Sequence, residues 1–102
     1  MITLIQVPRH AAGLMNRVPK KIRRIILIEW LKKDGEPVDD GEPVVVLNTV
    51  KASIEMVSEA SGHTFHLLKV GDRVVVGDIL GVVADNRAEF LEYKKHNLNN
   101  LV

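Results

Sequence analysis

From Ile22 onward, short apolar runs alternate with glycine-bearing polar segments, and no run shows helical spacing until the chain nears its end. Ile25 to Leu31 is rich in β-branched residues and predicts a strand; so do Pro43 to Leu47, Ser53 to Val57, His63 to Leu68 and Ile79 to Ala84. Shorter strands are expected at Pro37–Val38 and Arg73–Val75, and Ile2 to Val7 alternates like a strand at the start. Gly35, Gly41, Gly71 and Gly77 each separate two apolar segments, where a residue free to take positive φ permits a tight reversal. After Ala84, Asp85 or Asn86 can cap a helix reaching about His96. Glu89 is placed for a capping box, Phe90 and Tyr93 are available to dock on the strands, and a frayed Asn97–Val102 follows.

The polar segments are duplicated. Leu31 to Val44 and Leu67 to Leu80 align so that Gly35 meets Gly71, Glu36 meets Asp72, Val38 meets Val74, Gly41 meets Gly77, Glu42 meets Asp78 and Val44 meets Leu80. Two copies of one β unit related by a pseudo-two-fold predict an all-β fold. It is a flattened barrel or sandwich of two small antiparallel sheets, burying Ile26, Val44, Val46, Ile54, Met56, Val74, Leu80 and Val82. Gly62 is expected at a close crossing between the halves. The offset between the copies, from Gly35 to Gly71, carries Lys51 onto Arg87, so the Val44–Val57 hairpin with Lys51 at its tip should project away from the C-terminal tail.

A chain of 102 residues, 46% apolar and 26% charged, can bury one modest core. We therefore expect one domain over 1–85, with a basic loop near 9–24, and a C-terminal helix or tail over 86–102. The net charge of +1 gives no global attraction to nucleic acid, and the single Trp30 among few aromatics makes a base-stacking platform improbable. With no cysteine there is no disulfide, thiolate metal site or thiol nucleophile, so sulfur redox chemistry would need a bound cofactor. No apolar run is long enough to span a bilayer, and no secretory signal is evident. The expected compartment is the cytoplasm. The alternative is the mitochondrial matrix, because Arg9, Arg17, Lys20, Lys21, Arg23 and Arg24 precede the first acid, Glu29, as in an organelle transit peptide; Pro8, Gly13 and Pro19 interrupt such a helix.

Candidate chemistry is sparse. His63 and His66 differ by three positions in a strand, so they face opposite sides and cannot readily share a metal; no metal site is expected. His10 and His96 fall in segments expected to be flexible. Asp39, Asp40 and Glu42 lack calcium-loop spacing and read as a polar turn. Ser58 and Ser61 belong to no nucleophile motif. Lys51 stands out, as a lysine at a hairpin tip flanked by the two copies.

These residues resemble the lipoyl and biotinyl carrier domains over roughly Ile2 to Asp85. Glu29-Trp30-Leu31, Lys33-Asp34-Gly35-Glu36-Pro37-Val38, Asn48-Thr49-Val50-Lys51-Ala52 and Ala60-Ser61-Gly62 follow the order and spacing of lipoyl domains in 2-oxo acid dehydrogenase acyltransferases. Val50-Lys51-Ala52 is similar to the tip of glycine-cleavage H proteins. Biotinyl domains usually flank their lysine with methionines, which Val50 and Ala52 are not. Asn48 stands where lipoyl domains usually have Glu, and Val50 where the acyltransferase type is acidic. The resemblance implies a non-catalytic carrier that presents a swinging-arm cofactor on Lys51. The cofactor is lipoate, alternatively biotin, and Gly35, Asn48, Val50 and Ala52 serve recognition around the tip. It implies as partners a lipoate or biotin ligase and components of a dehydrogenase or carboxylase complex, with neither nucleic acid nor membrane. A rival from another class is an unmodified, carrier-like interaction domain. The chain reads as a freestanding carrier or an excised module.

Overall fold

A computed structural model describes residues 1–9, 11 and 24–98; the segment expected as a basic loop, including Gly13 and Pro19, and the last four residues lie outside the described residues. Among the described residues, eight strands and a helix of several turns follow in chain order: β1 Thr3–Gln6, β2 Ile25–Trp30, β3 Pro37–Val38, β4 Pro43–Thr49, β5 Ser53–Val57, β6 Gly62–His66, β7 Arg73–Val74, β8 Ile79–Ala84 and α1 Arg87–Leu98. They form two four-stranded sheets, β1-β8-β6-β3 and β5-β4-β2-β7, with every pairing antiparallel. The sandwich of two small antiparallel sheets expected from the duplication is what forms.

The glycines act through one device used four times. Gly35, Gly41, Gly71 and Gly77 have φ of 86°, 90°, 98° and 94°, the conformation a type II turn requires at its third position. The acid after each glycine closes the turn twice. Its N–H donates to the carbonyl three residues back, as from Glu42 to Asp39 (3.0 Å) and from Asp78 to Val75 (3.0 Å). Its carboxylate accepts the N–H of that same residue, at 2.7 Å for Glu42 and Asp39 and 2.9 Å for Asp78 and Val75. Lys33 with Glu36 and Lys69 with Asp72 repeat both contacts. Each turn then docks on a neighbouring strand or segment, at Thr64, Ser58, Leu27 and Val7 respectively. The recurring Gly-Glu/Asp pair is thus a joint that attaches each turn to the barrel.

The core differs from expectation on two strands. Ile25 and Leu27 point inward (2% and 0% exposed), whereas Ile26 is only half-buried, as is Val46 beside buried Val45 and Leu47. A bulge between Pro43 and Val45 lets consecutive Val44 and Val45 both be buried, so a strict alternation through that run fails. Val44, Ile54, Val74 and Leu80 are core as expected, and Met56 packs against them partly buried. Val82 is buried in a second cluster with Phe65, Ala84 and Phe90, because α1 covers that side of the sheet. Phe65 and Phe90 stack at 4.7 Å between centroids. Asn86 caps α1 by accepting the Glu89 N–H (2.9 Å), and Glu89 reaches back to the Asp85 N–H (2.8 Å). The helix extends two residues past the expected His96, which sits within it beside Glu92 (2.7 Å) rather than in a flexible tail.

Candidate functional site

The β4–β5 hairpin turns at Thr49-Val50-Lys51-Ala52 without a glycine, and no non-glycine residue among those described has positive φ. Two-residue hairpin loops usually need left-handed residues. Here Thr49 supplies the closure instead. Its N–H donates to the Ala52 carbonyl (2.8 Å), its hydroxyl donates to the same carbonyl (2.8 Å), and Oγ1 accepts the N–H groups of Ala52 (3.0 Å) and Lys51 (3.3 Å). Thr49 is 5% exposed, which ties this hydroxyl into the barrel. Lys51 is therefore offered at a fixed turn, with its own N–H held and its side chain exposed.

Asn48, Val50 and Ala52 lie around the lysine and are all exposed. Asn48 Oδ1 accepts the Ser53 hydroxyl (3.1 Å) across the strand pair, so the amide is oriented by its neighbour. Among the described residues, no carboxylate lies within ion-pair distance of the Lys51 amine. An exposed, unpaired primary amine at a rigid apex fits covalent loading of a carboxylic acid, which needs approach from solvent and no displacement of a partner.

Gly35 does not belong to this cluster. β2 starts in register with Thr49 and runs to Trp30 before the chain reaches Gly35, whose N–H donates to the Thr64 backbone carbonyl (2.6 Å). A Cβ there would lie 2.8 Å from the Arg87 guanidinium. Expected as part of the recognition surface, Gly35 instead shapes the opposite end of the barrel. There Arg87, the pseudo-symmetric counterpart of Lys51, pairs with Asp34 (3.7 Å) and covers the Phe65 ring (5.1 Å). The hairpin accordingly projects away from α1. Sequence reading missed Thr49 and Ser53; the signal was a hydroxyl residue at each base of the turn, where side-chain to backbone bonding is common.

The other candidates serve the scaffold. His63 Nδ1 contacts the Asp85 carbonyl (3.2 Å), and His66 Nε2 contacts that of Lys32 (2.8 Å), while the His66 ring stacks on Trp30 at 3.9 Å. The indole N–H donates to Leu68 (3.0 Å). Ser58 donates to the Ala60 carbonyl, and Ser61 accepts the Asp40 N–H (3.0 Å). Among the described residues no His, Cys, Asp or Glu group is arranged to hold a metal, and no helix is long and apolar enough to cross a membrane.

The biotin/lipoyl family, described as "Biotin-requiring enzyme", matches residues 16–83. Over 60 residues the chain is 45% identical to the dihydrolipoyllysine-residue succinyltransferase component of the 2-oxoglutarate dehydrogenase complex of Staphylococcus saprophyticus. That alignment covers 58% of this chain but only 14% of the relative. A lower identity, 28% over 83 residues, links it to acetyl-CoA carboxylase of Saccharomyces cerevisiae, covering 81% of this chain and 4% of that one. Among solved structures, the lipoyl domain of the 2-oxoglutarate dehydrogenase complex of Azotobacter vinelandii superposes with a TM-score of 0.56 at 32% identity, covering 67% of this chain and 87% of that one.

Proposed function

The chain belongs to the biotin/lipoyl family, and we propose that within it Lys51 is the attachment residue of a lipoyl-type carrier domain. The observation that carries this reading is the Lys51 amine, exposed and unpaired at an apex that Thr49 fixes with three hydrogen bonds to Ala52 and one to Lys51. Deprotonated Lys51 Nζ attacks an activated carboxyl group brought by a ligase; the activating group departs, the amine loses its remaining extra proton, and a neutral amide replaces the ammonium. A lipoyl group held there would supply disulfide and acyl-transfer chemistry. The barrel contributes presentation. Tethering holds the carried group at high effective concentration near each partner site, and no acid, base or nucleophile of the domain is required. In this reading residues 1–85 are the carrier and 86–102 a C-terminal addition, whose helix α1 braces the carrier through Phe90 against Phe65.

Lipoate is favoured over biotin by the Val50 and Ala52 flanks and by the likeness to a lipoyl domain at 32% identity. The partners are then a lipoate ligase and components of a 2-oxo acid dehydrogenase complex, in the cytoplasm or alternatively the mitochondrial matrix. Co-expression with lipoate ligase and lipoate, and separately with biotin ligase and biotin, followed by intact mass, tests the assignment. We expect one lipoyl group on the parent and none on Lys51→Arg, which keeps the charge but cannot form the amide. Exchanging the pair, Val50→Lys with Lys51→Val, preserves composition and should also abolish loading, because the amine leaves its fixed position. Loading of either variant, or modification at another lysine, would overturn the site; exclusive biotinylation would overturn the choice of cofactor.

A further inference from the structure

The two turns that open the last strand of each half are built alike and differ in what they show to solvent. Asp39-Asp40-Gly41-Glu42 and Val75-Val76-Gly77-Asp78 share the glycine φ (90° and 94°), the closing backbone bond (3.0 Å in both) and the carboxylate cap on the first N–H (2.7 and 2.9 Å). The turn places no demand on its first two side chains beyond ordinary negative φ. Nevertheless one copy carries two aspartates and the other two valines, of which Val75 is 64% and Val76 37% exposed. The fold does not explain the valines.

Their position does suggest a role. Ile25 pairs with Thr49 on one side and Val74 on the other, the last pairs of both ladders, so the residues that follow, Val50, Arg24 and Val75, leave the sheet at the same end. With strands about 4.8 Å apart, the three strand ends at Thr49, Ile25 and Val74 span roughly 10 Å, and Lys51 follows two residues after Thr49. Val50 is itself 43% exposed, and Arg24 is exposed between the two valines. The one acid of the turn, Asp78, is folded back onto the Val75 N–H and does not face outward. The Asp39-Asp40 copy lies beyond the far end of β4, whose seven residues separate it from the hairpin apex. The valines therefore occupy the turn nearest the lysine, and the aspartates the one remote from it.

We propose that Val50, Val75 and Val76, with Arg24 among them, form the surface on which the ligase that loads Lys51 docks, and that this ligase presents an apolar patch bordered by carboxylates. This rests on Lys51 being the attachment residue. The apolar contact makes affinity, and Arg24 with the free Lys51 amine steers approach, so association should weaken with salt.

The test uses lipoate ligase as the probe and compares kcat/KM for loading at low and high ionic strength. Val75→Asp with Val76→Asp reproduces the sibling turn, which this fold already accommodates, and a melting curve confirms folding. Its kcat/KM should fall by about tenfold or more, as expected for losing a central apolar contact. Val75→Ser with Val76→Ser should also lower kcat/KM, separating lost contact from added charge. Arg24→Glu should lower it and flatten its salt dependence, and Asp39→Val with Asp40→Val at the far end should not change it. If the parent is loaded and both valine pairs behave like it, the docking surface is wrong while the attachment site stands. A parent loaded by neither lipoate nor biotin ligase would overturn both.

Discussion

Gly62 gives the sharpest test of how the barrel is packed. It opens β6 between β3 and β8, opposite Val38 and next to the His63–Ala84 pair. A Cβ built on it lies 2.6 Å from the Ala84 carbonyl oxygen and 3.0 Å from Val83 Cγ1. Carbon–oxygen contacts settle near 3.3 Å or beyond, so Gly62→Ala must push two backbones apart by about 0.7 Å. Ala84 is 1% exposed and held in the sheet on that side, which leaves little room to yield. Overpacking of this kind costs about 1–3 kcal/mol, set against up to about 1 kcal/mol gained by restricting the unfolded chain. The net expectation is a loss of roughly 1–2 kcal/mol, and a fall in Tm of about 5–15 °C for a domain of this size. Thermal and urea unfolding followed by circular dichroism would measure it. Gly41→Ala is the contrasting case, since no atom lies within 4 Å of its Cβ and its cost comes from φ of +90° alone. Asparagine tolerates that conformation, so Gly41→Asn should recover stability relative to Gly41→Ala, whereas Gly62→Asn should be no better than Gly62→Ala. A Gly62→Ala protein within about 0.5 kcal/mol of the parent would refute the steric argument.

Three further outcomes are expected. Thr49→Val removes the acceptor of two N–H groups at the hairpin apex, and should destabilise the domain by about 1 kcal/mol and lower the ligase kcat/KM on Lys51; unchanged loading would show that the turn need not be fixed. Thr64 Oγ1 is fully buried without a hydrogen-bond partner among the described residues, so Thr64→Val should stabilise by about 1 kcal/mol in urea unfolding, and a loss of stability would refute this. The Glu42 carboxyl is held below its usual pKa, chiefly by the Asp39 N–H and then by Lys32 at 3.0 Å. A depressed carboxylate stabilises fully above the unfolded value near 4.5, and this is lost as pH falls through the folded pKa. Carbon-detected titration should place Glu42 below that value, and Glu42→Gln should flatten the acid limb of the stability profile. An ordinary pKa for Glu42 would refute the pairing.

The two-sheet barrel, its short strands and its hairpin were legible because each is a local matter. Period-two patterns and β-branched residues define strands, and the four Gly-Glu/Asp pairs define reversals wherever they occur. Ser53–Val57 and Ile79–Ala84 match the expected bounds, since each is flanked by polar or turn residues. The duplication also made the opposed placement of Lys51 and Arg87 readable, because symmetry is a property of the sequence itself.

Tertiary structure decided what depends on a neighbour distant in sequence. It turned Ile25 and Leu27 inward in place of Ile26, because the alternation alone does not say which face meets the other sheet. It made Gly81 indispensable to the eye of the structure only, where a Cβ would meet the Phe65 carbonyl and the Trp30 ring. It removed Gly35 from the lysine and set it against Arg87, a pairing across 52 residues of chain that no local pattern contains. And it brought the strand ends that lead into Val50, Arg24 and Val75 to one end of one sheet, since strand order β4-β2-β7, which places segments remote in sequence side by side, is fixed by pairing energy summed over the whole sheet.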